Sequence, residues 1–143
     1  MSVHGLTRVA TAATATTLLG IGGLHVAWGR GATFPFASRD RLNDVVIGRS
    51  ATPSPGACYG VAGLLTAAAG LVAGLPTRRS SLRRAGVGTV AATLATRAAL
   101  GFAAKTELVS PGSVSPAFLR MDRRVFAPLC AALAIGAAAS LRG

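Results

Sequence analysis

Charge is what this sequence has least of. Asp, Glu, Lys and Arg together make up 13% of its 143 residues, about half the ~25% usual in soluble domains. A water-soluble globule clothed in so little charge would expose wide apolar patches. Acids are the scarcest: Asp40, Asp44, Glu107 and Asp122 stand against 15 basic residues, for a net charge of +11. Lysine is nearly absent too, Lys105 being the single one. Aromatics make up 5% and do not interleave with the basic residues, so no stacking platform supports nucleic-acid binding and no nucleic-acid partner is expected. The two cysteines, Cys58 and Cys130, form no Cys-x-x-Cys and have no His or Cys neighbour at metal-ligand spacing, which argues against a metal centre and for structural burial. Their different depths along the chain disfavour a disulfide. No P-loop, nucleophile elbow or haem-ligand pair is present, so no cofactor is expected.

What the chain does have is apolar length. Its apolar fraction is 51% and its mean hydropathy is +0.54. Four apolar segments run over about Thr7–Trp28, Ala57–Leu75, Leu82–Phe102 and Val125–Leu141, each near the ~20 residues a helix needs to cross ~30 Å of hydrocarbon. The sequence therefore predicts an all-α polytopic membrane four-helix bundle, one integral membrane domain over residues 1–143, with outer loops at 29–56 and 103–124. The first segment follows Arg8 as a signal peptide would, but it is long and no small-x-small site closes it, so it reads as a retained helix.

Basic residues set the orientation. The turn between the second and third segments carries Arg78, Arg79, Arg83 and Arg84 with no acid nearby, which places it, and with it both termini, on the cytoplasmic side. All four acids fall in the two outer loops. Loop-confined arginine also favours contact with membrane lipids, at roughly 1 kcal/mol per basic residue near an anionic surface. Within the first outer loop, Ala37 to Val46 suits a short amphipathic helix with Leu42, Val45 and Val46 turned to lipid. Ser115-Pro116 reads as an N-cap with proline at the first helical position, and Pro128 as a kink site. In the second segment Gly56 and Gly60, Gly63, Ala67, Gly70 and Gly74 form a row of small residues suited to close helix packing.

Three polar residues are candidates for chemistry. Arg97 lies inside the third segment, where a charge costs roughly 2.5–3.5 kcal/mol at mid-membrane. With Thr89 and Thr93 it forms a polar stripe expected to face the bundle, although a snorkelling arginine meeting phosphates is an equal alternative. His25 continues a face made by Thr11, Thr14, Leu18 and Ile21, and a neutral histidine there can be tuned by a nearby acid. Asp122 is the natural acid, at the outer start of the fourth segment. An Asp–Arg or Asp–His contact across helices would offset the cost of holding either charge. The bland readings are a hydrogen-bonded structural histidine and an ordinary surface salt bridge.

The segment Gly23-Leu24-His25-Val26-Ala27-Trp28-Gly29, then Gly31 and Phe34-Pro35-Phe36, resembles the opening of the domain-of-unknown-function 3995 family. The resemblance continues through Asp44-Val45-Val46-Ile47-Gly48 and Arg97, and closes with Phe118-Leu119-Arg120-Met121-Asp122 and Phe126-Ala127-Pro128-Leu129-Cys130. Phe126 departs from it, standing where tyrosine is expected. The resemblance implies a four-helix membrane fold in a bacterial plasma membrane and no particular activity, and it puts His25, Arg97, Asp122 and Pro128 on recurring positions. Small size and weak catalytic signal favour an accessory or interaction subunit of a membrane complex, or a homo-oligomer. The alternative is a membrane enzyme or binding protein for a lipid or small hydrophobic molecule. There His25 and Asp122 would be an acid/base pair and Arg97 would hold an anionic group near the outer face. A transporter ranks last, for want of internal repeats and paired broken helices.

Overall fold

The computed structural model describes residues 2–76 and 80–142, so Arg78 and Arg79 of the basic turn lie outside the described residues. Among the described residues all regular structure is helical: α1 (Val3–Gly29), α2 (Arg39–Leu42) passing into a π turn (Asn43–Ile47), α3 (Pro55–Ala73), α4 (Ser81–Phe102), a 3-10 turn (Thr106–Leu108), α5 (Pro116–Met121), a second π turn (Asp122–Phe126) and α6 (Ala127–Ala139). Three of these helices, α1, α3 and α4, are long and apolar enough to cross a membrane. α6 is shorter, but α5, the second π turn and α6 follow one another without a break, the backbone staying right-handed at Met121, Phe126 and Ala127.

Local chemistry fixes where the long helices start and stop. Ser2, Ser54, Ser80 and Ser115 are their N-caps, each hydroxyl accepting from the N–H three residues on, at Gly5, Ala57, Arg83 and Phe118. Pro55 and Pro116 take the first turn, where a missing donor costs nothing. Gly74 ends α3 at φ 105°, and the Leu75 N–H returns to the Gly70 carbonyl at 2.9 Å.

α1 packs along α3 and α4 along α6, with narrower seams between α1 and α6 and between α3 and α4. Glycines line every seam, Gly29 joining Gly22 between α1 and α3, where a Cβ on it would come within 2.7 Å of the Tyr59 ring. A Cβ on Gly22 of α1 would lie 3.5 Å from the Ala62 carbonyl of α3, and one on Gly86 of α4 would come within 2.9 Å of Leu71 on α3. One on Gly101 of α4 would come within 2.7 Å of Ala127 Cβ, and one on Gly136 of α6 would overlap the Thr14 hydroxyl of α1. Close backbone approach supplies the dispersion that lipid-immersed helices need in place of a hydrophobic drive. The core itself is Leu18, Ala69, Val72, Val87, Leu133 and Ala137, drawn from all four long stretches.

Three expectations are corrected here. The α3 row does not pack within the chain: Cβ atoms on Gly60 and Gly63 would meet nothing within 4 Å, while Cys58, Ala62 and Ala69 make the buried face. Thr89 and Thr93 face outward rather than into the packed interior, because Val87, Ala98 and Gly101 take the inner face of α4. The Thr89 hydroxyl satisfies itself on the Ala85 carbonyl at 3.0 Å, as threonine does in apolar surroundings. Finally, α2 and its π turn do not present Leu42 and Val45 to lipid. Both are buried, at 2% and 3% exposure, because this segment folds over the helices as a roof.

Arg83, at the start of α4, joins three helix ends. Its Nε donates to Leu71 O at 2.8 Å, and its Nη2 donates to Val72 O at 3.2 Å and Ser140 O at 3.3 Å. Carbonyls in the last turns of α3 and α6 thus share one guanidinium. Hydrogen bonds to a charged group contribute about 1.5–3 kcal/mol. Detergent-purified Arg83→Met is therefore expected to melt several degrees below wild type, whereas Arg84→Met, at an exposed neighbour, melts with it. Equal melting of the two variants in differential scanning fluorimetry would refute this stapling role.

Candidate functional site

The site grows from one ion pair. Arg97 reaches from the last turns of α4, and its Nη2 donates to Asp122 Oδ1 at 2.5 Å. Asp122 opens the second π turn and is 1% exposed; its other oxygen accepts from the hydroxyl of Thr106, which is also buried, in the 3-10 turn after α4. The π turn delivers the carboxylate. It sits one turn before Pro128, whose ring has no N–H to donate and would crowd the Arg124 carbonyl in a regular helix. The extra residue, closed by the Ala127 N–H on Asp122 O, widens that turn and swings Asp122 towards α4. Gly101 leaves the room: a Cβ there would stand 3.1 Å from both Arg97 Nη1 and Asp122 Oδ2.

Loop contacts complete the roof. Gly48 leaves the first π turn at φ 78°, and any side chain there would come within 2.7 Å of the Phe118 ring. This double constraint makes the position a glycine site. The Gly48 carbonyl accepts from the N–H groups of Val114 and Ser115, each at 3.1 Å. The Ser115 hydroxyl donates to Asp44 O at 2.7 Å, and Arg49 Nη1 donates to Pro111 O at 2.9 Å. The loop after α1 and the loop after α4 are therefore one hydrogen-bonded layer.

Beneath this layer lies a cavity of about 300 Å³, bordered by His25 and Trp28 of α1, Val61 of α3, Arg97 of α4 and Asn43 of the roof. His25 Nδ1 lies 2.9 Å from Ile21 O. A carbonyl only accepts, so Nδ1 is the donor in this contact. The Trp28 ring stacks at a tilt on His25, centroids 4.9 Å apart, and its Nε1 donates to Phe34 O at 2.7 Å. Asn43 is 3% exposed, and its Nδ2 donates to Thr52 Oγ1 at 2.8 Å and Ser50 O at 3.3 Å. Among the described residues, two buried side-chain atoms lack any partner, Asn43 Oδ1 and Arg97 Nη1, and both residues border this cavity. A larger cavity of about 490 Å³ opens beside Arg8, Arg83 and Ser140, but no residue bordering it holds such an orphaned atom.

Of the three residues singled out from the sequence, the structure joins Arg97 to Asp122 and puts His25 with Arg97 on the cavity wall. Asp122 itself stays behind Arg97, off that wall, held by Arg97 and Thr106. It can position the guanidinium, whereas His25 faces the cavity without it. Sequence reasoning missed Asn43 and Thr106. Asn43 stood beside the quoted segment beginning at Asp44, and Thr106 carried no signal. Among the described residues no cluster of His, Cys, Asp and Glu is fit to hold a metal ion.

Removing one partner of a buried pair leaves an uncompensated charge at a cost of about 3–5 kcal/mol. Arg97→Leu and Asp122→Leu are each expected to destabilise strongly, while the double variant recovers most of the loss. Additive losses in a thermal-melt double-mutant cycle would mean the two groups are not coupled.

A model of the family described as "Protein of unknown function (DUF3995)" matches residues 18–137, a stretch that contains every residue of the site. No curated protein and no solved structure matches the chain.

Proposed function

The chain belongs to the DUF3995 family, and from that premise we propose that it is a multi-pass membrane protein that binds a lipid or other small hydrophobic molecule under its loop-built roof. α1, α3, α4 and the helical stretch Pro116–Ala139 cross a bacterial plasma membrane four times in this reading, as a four-helix bundle with both termini cytoplasmic. Support comes from the basic turn at Arg83 and Arg84 at one end and the acids, all in the outer loops, at the other. In a cysteine-free background, Ser38→Cys is expected to label with an impermeant maleimide added to intact cells, and Ser81→Cys only after permeabilisation. The reverse pattern would invert the topology.

The observation that carries the binding reading is one mainly apolar cavity bordered by two residues, Arg97 and Asn43, that each hold a buried polar atom without a partner. Each buried polar group without a partner costs about 1–3 kcal/mol. Leu42, Val46, Val61 and Phe118 on the wall favour an apolar occupant, and Arg97 and Asn43 supply orientation. A few convergent polar groups in an apolar concavity are the usual form of a small-molecule site. Asp122 serves by positioning Arg97, and His25 is the group left to move a proton, so binding is better supported than an Asp122–His25 acid/base pair. A second reading, an accessory subunit or homo-oligomer, draws on the outward Gly60 and Gly63 of α3 beside Leu64, which is 74% exposed.

Native mass spectrometry of the protein in mild detergent tests both readings. The binding reading expects a retained small-molecule adduct that Val61→Trp expels without lowering the melting temperature. Wild type without an adduct, or an adduct indifferent to Val61→Trp, would overturn it. A stoichiometric protein partner would put the accessory reading first.

A further inference from the structure

We infer that the ligand of this cavity is a single-chain amphiphile whose anionic head group carries a hydroxyl beside the anion, with Arg97 reading the anion and Asn43 the hydroxyl. This rests on the binding reading above and goes beyond it to the chemical class of ligand.

The charge on the wall is of one sign. Arg39, Arg49 and Arg97 border the cavity and no acid does. Asp122, from behind, offsets Arg97, and Asp40 and Asp44 border a separate pocket that Arg49 also borders. With three guanidinium groups and no carboxylate on its own wall, the cavity has an excess of positive charge, which favours an anion and disfavours an ammonium. Arg97 spends Nη2 on Asp122 and holds Nη1 unspent. A guanidinium fixed in orientation by a carboxylate presents its remaining N–H fork to a phosphate or carboxylate oxygen.

Asn43 asks for the opposite partner. Its Nδ2 faces the Ser50 carbonyl, which can only accept, and the Thr52 hydroxyl. Exchanging O and N would set two acceptors together, so Oδ1 is fixed as the orphaned acceptor. It needs a donor from the ligand. With arginines around it, a neutral hydroxyl meets that need and an ammonium does not.

The remaining wall is apolar, and a volume of about 300 Å³ is at the small end for ligand sites. It suits a head group and the first carbons of a chain. Val61 borders the cavity and is still 39% exposed on the outer face of α3, which gives the rest of the chain a lateral way out into lipid.

Four probes separate these features: lysophosphatidic acid (phosphate, hydroxyl, chain), dodecyl phosphate (no hydroxyl), monoacylglycerol (no anion) and glycerol 3-phosphate (no chain). With the full chain in maltoside micelles, lysophosphatidic acid is expected to bind about tenfold or more tighter than each of the others. Asn43→Leu should weaken lysophosphatidic acid about tenfold and leave dodecyl phosphate unchanged. Arg39→Gln, at a roof position outside the packed core, should weaken both phosphates alike and spare monoacylglycerol, which keeps the test open if Asn43→Leu does not fold. Monoacylglycerol binding as tightly as lysophosphatidic acid would overturn the anion assignment while leaving the binding reading intact. Dodecyl phosphate binding as tightly would remove the hydroxyl, and glycerol 3-phosphate binding as tightly would remove the chain. Binding of none of the four would overturn the binding reading as well.

Discussion

A guanidinium inside an apolar helix is costly unless it is paired or reaches water, and the half of this protein around it follows from how Asp122 answers Arg97. The carboxylate reaches α4 because the helix that carries it is widened by one residue ahead of Pro128, and it stays because Thr106 holds its second oxygen. Those contacts fix the path of the chain between α4 and α5. With that path set, Phe118 lies under Gly48 and Ser115 reaches Asp44 O, and the loop between α1 and α3 is tied down. The cavity is what remains between that roof and the helices. Buried pairs of this kind are poor sources of net stability, because desolvation offsets most of their attraction. Here the pair sets geometry.

α4 is fastened at both ends by arginine, through different chemistry. Arg83 and Arg97 lie four helical turns apart, so they share a face and are separated by roughly 21 Å along the axis. At one end Arg83 gathers main-chain carbonyls, including Ser140 O at the end of α6. At the other, Arg97 takes the carboxylate at the head of the same helical stretch. Along α4 the contacts are small and close, with Gly86 between the two arginines and Gly101 one turn beyond Arg97 letting neighbours in. Alanine-rich helices offer little side-chain dispersion each, so shortening the distance between axes is how such helices gain contact.

Much of this was legible in the residues. Ser115-Pro116 announced the start of the last helical stretch, and an arginine in an apolar stretch pointed to Asp122 as an acid that could pair with it. The face holding Thr14, Leu18 and His25 was marked by its seven-residue spacing. What stayed hidden depended on what lies opposite. With 18 glycines in the chain, four-residue spacing drew attention to α3. The glycines that close seams, Gly22, Gly86, Gly101 and Gly136, are known only by the groups they meet. An amphipathic pattern also does not say whether its apolar side meets lipid or protein, so Leu42 and Val45 read equally well either way. Asn43 looked like one more polar loop residue until Ser50 and Thr52 folded back onto its amide.

The π turn at Asp122–Phe126 also divides the last helical stretch into two independent phases. One extra residue turns everything before it by about 100° relative to everything after it. Phe118 and Asp122 therefore answer to the roof and α4, while Leu133, Gly136 and Ala137 answer to the core and α1, without a common stripe along the helix. A single-residue deletion between Arg123 and Phe126 would leave a straighter, more regular helix whose lower half still fits its neighbours and whose carboxylate points away from Arg97. The irregularity is thus the chain's device for serving two masters with one rod, and its length in residues, rather than its composition, is the quantity under constraint.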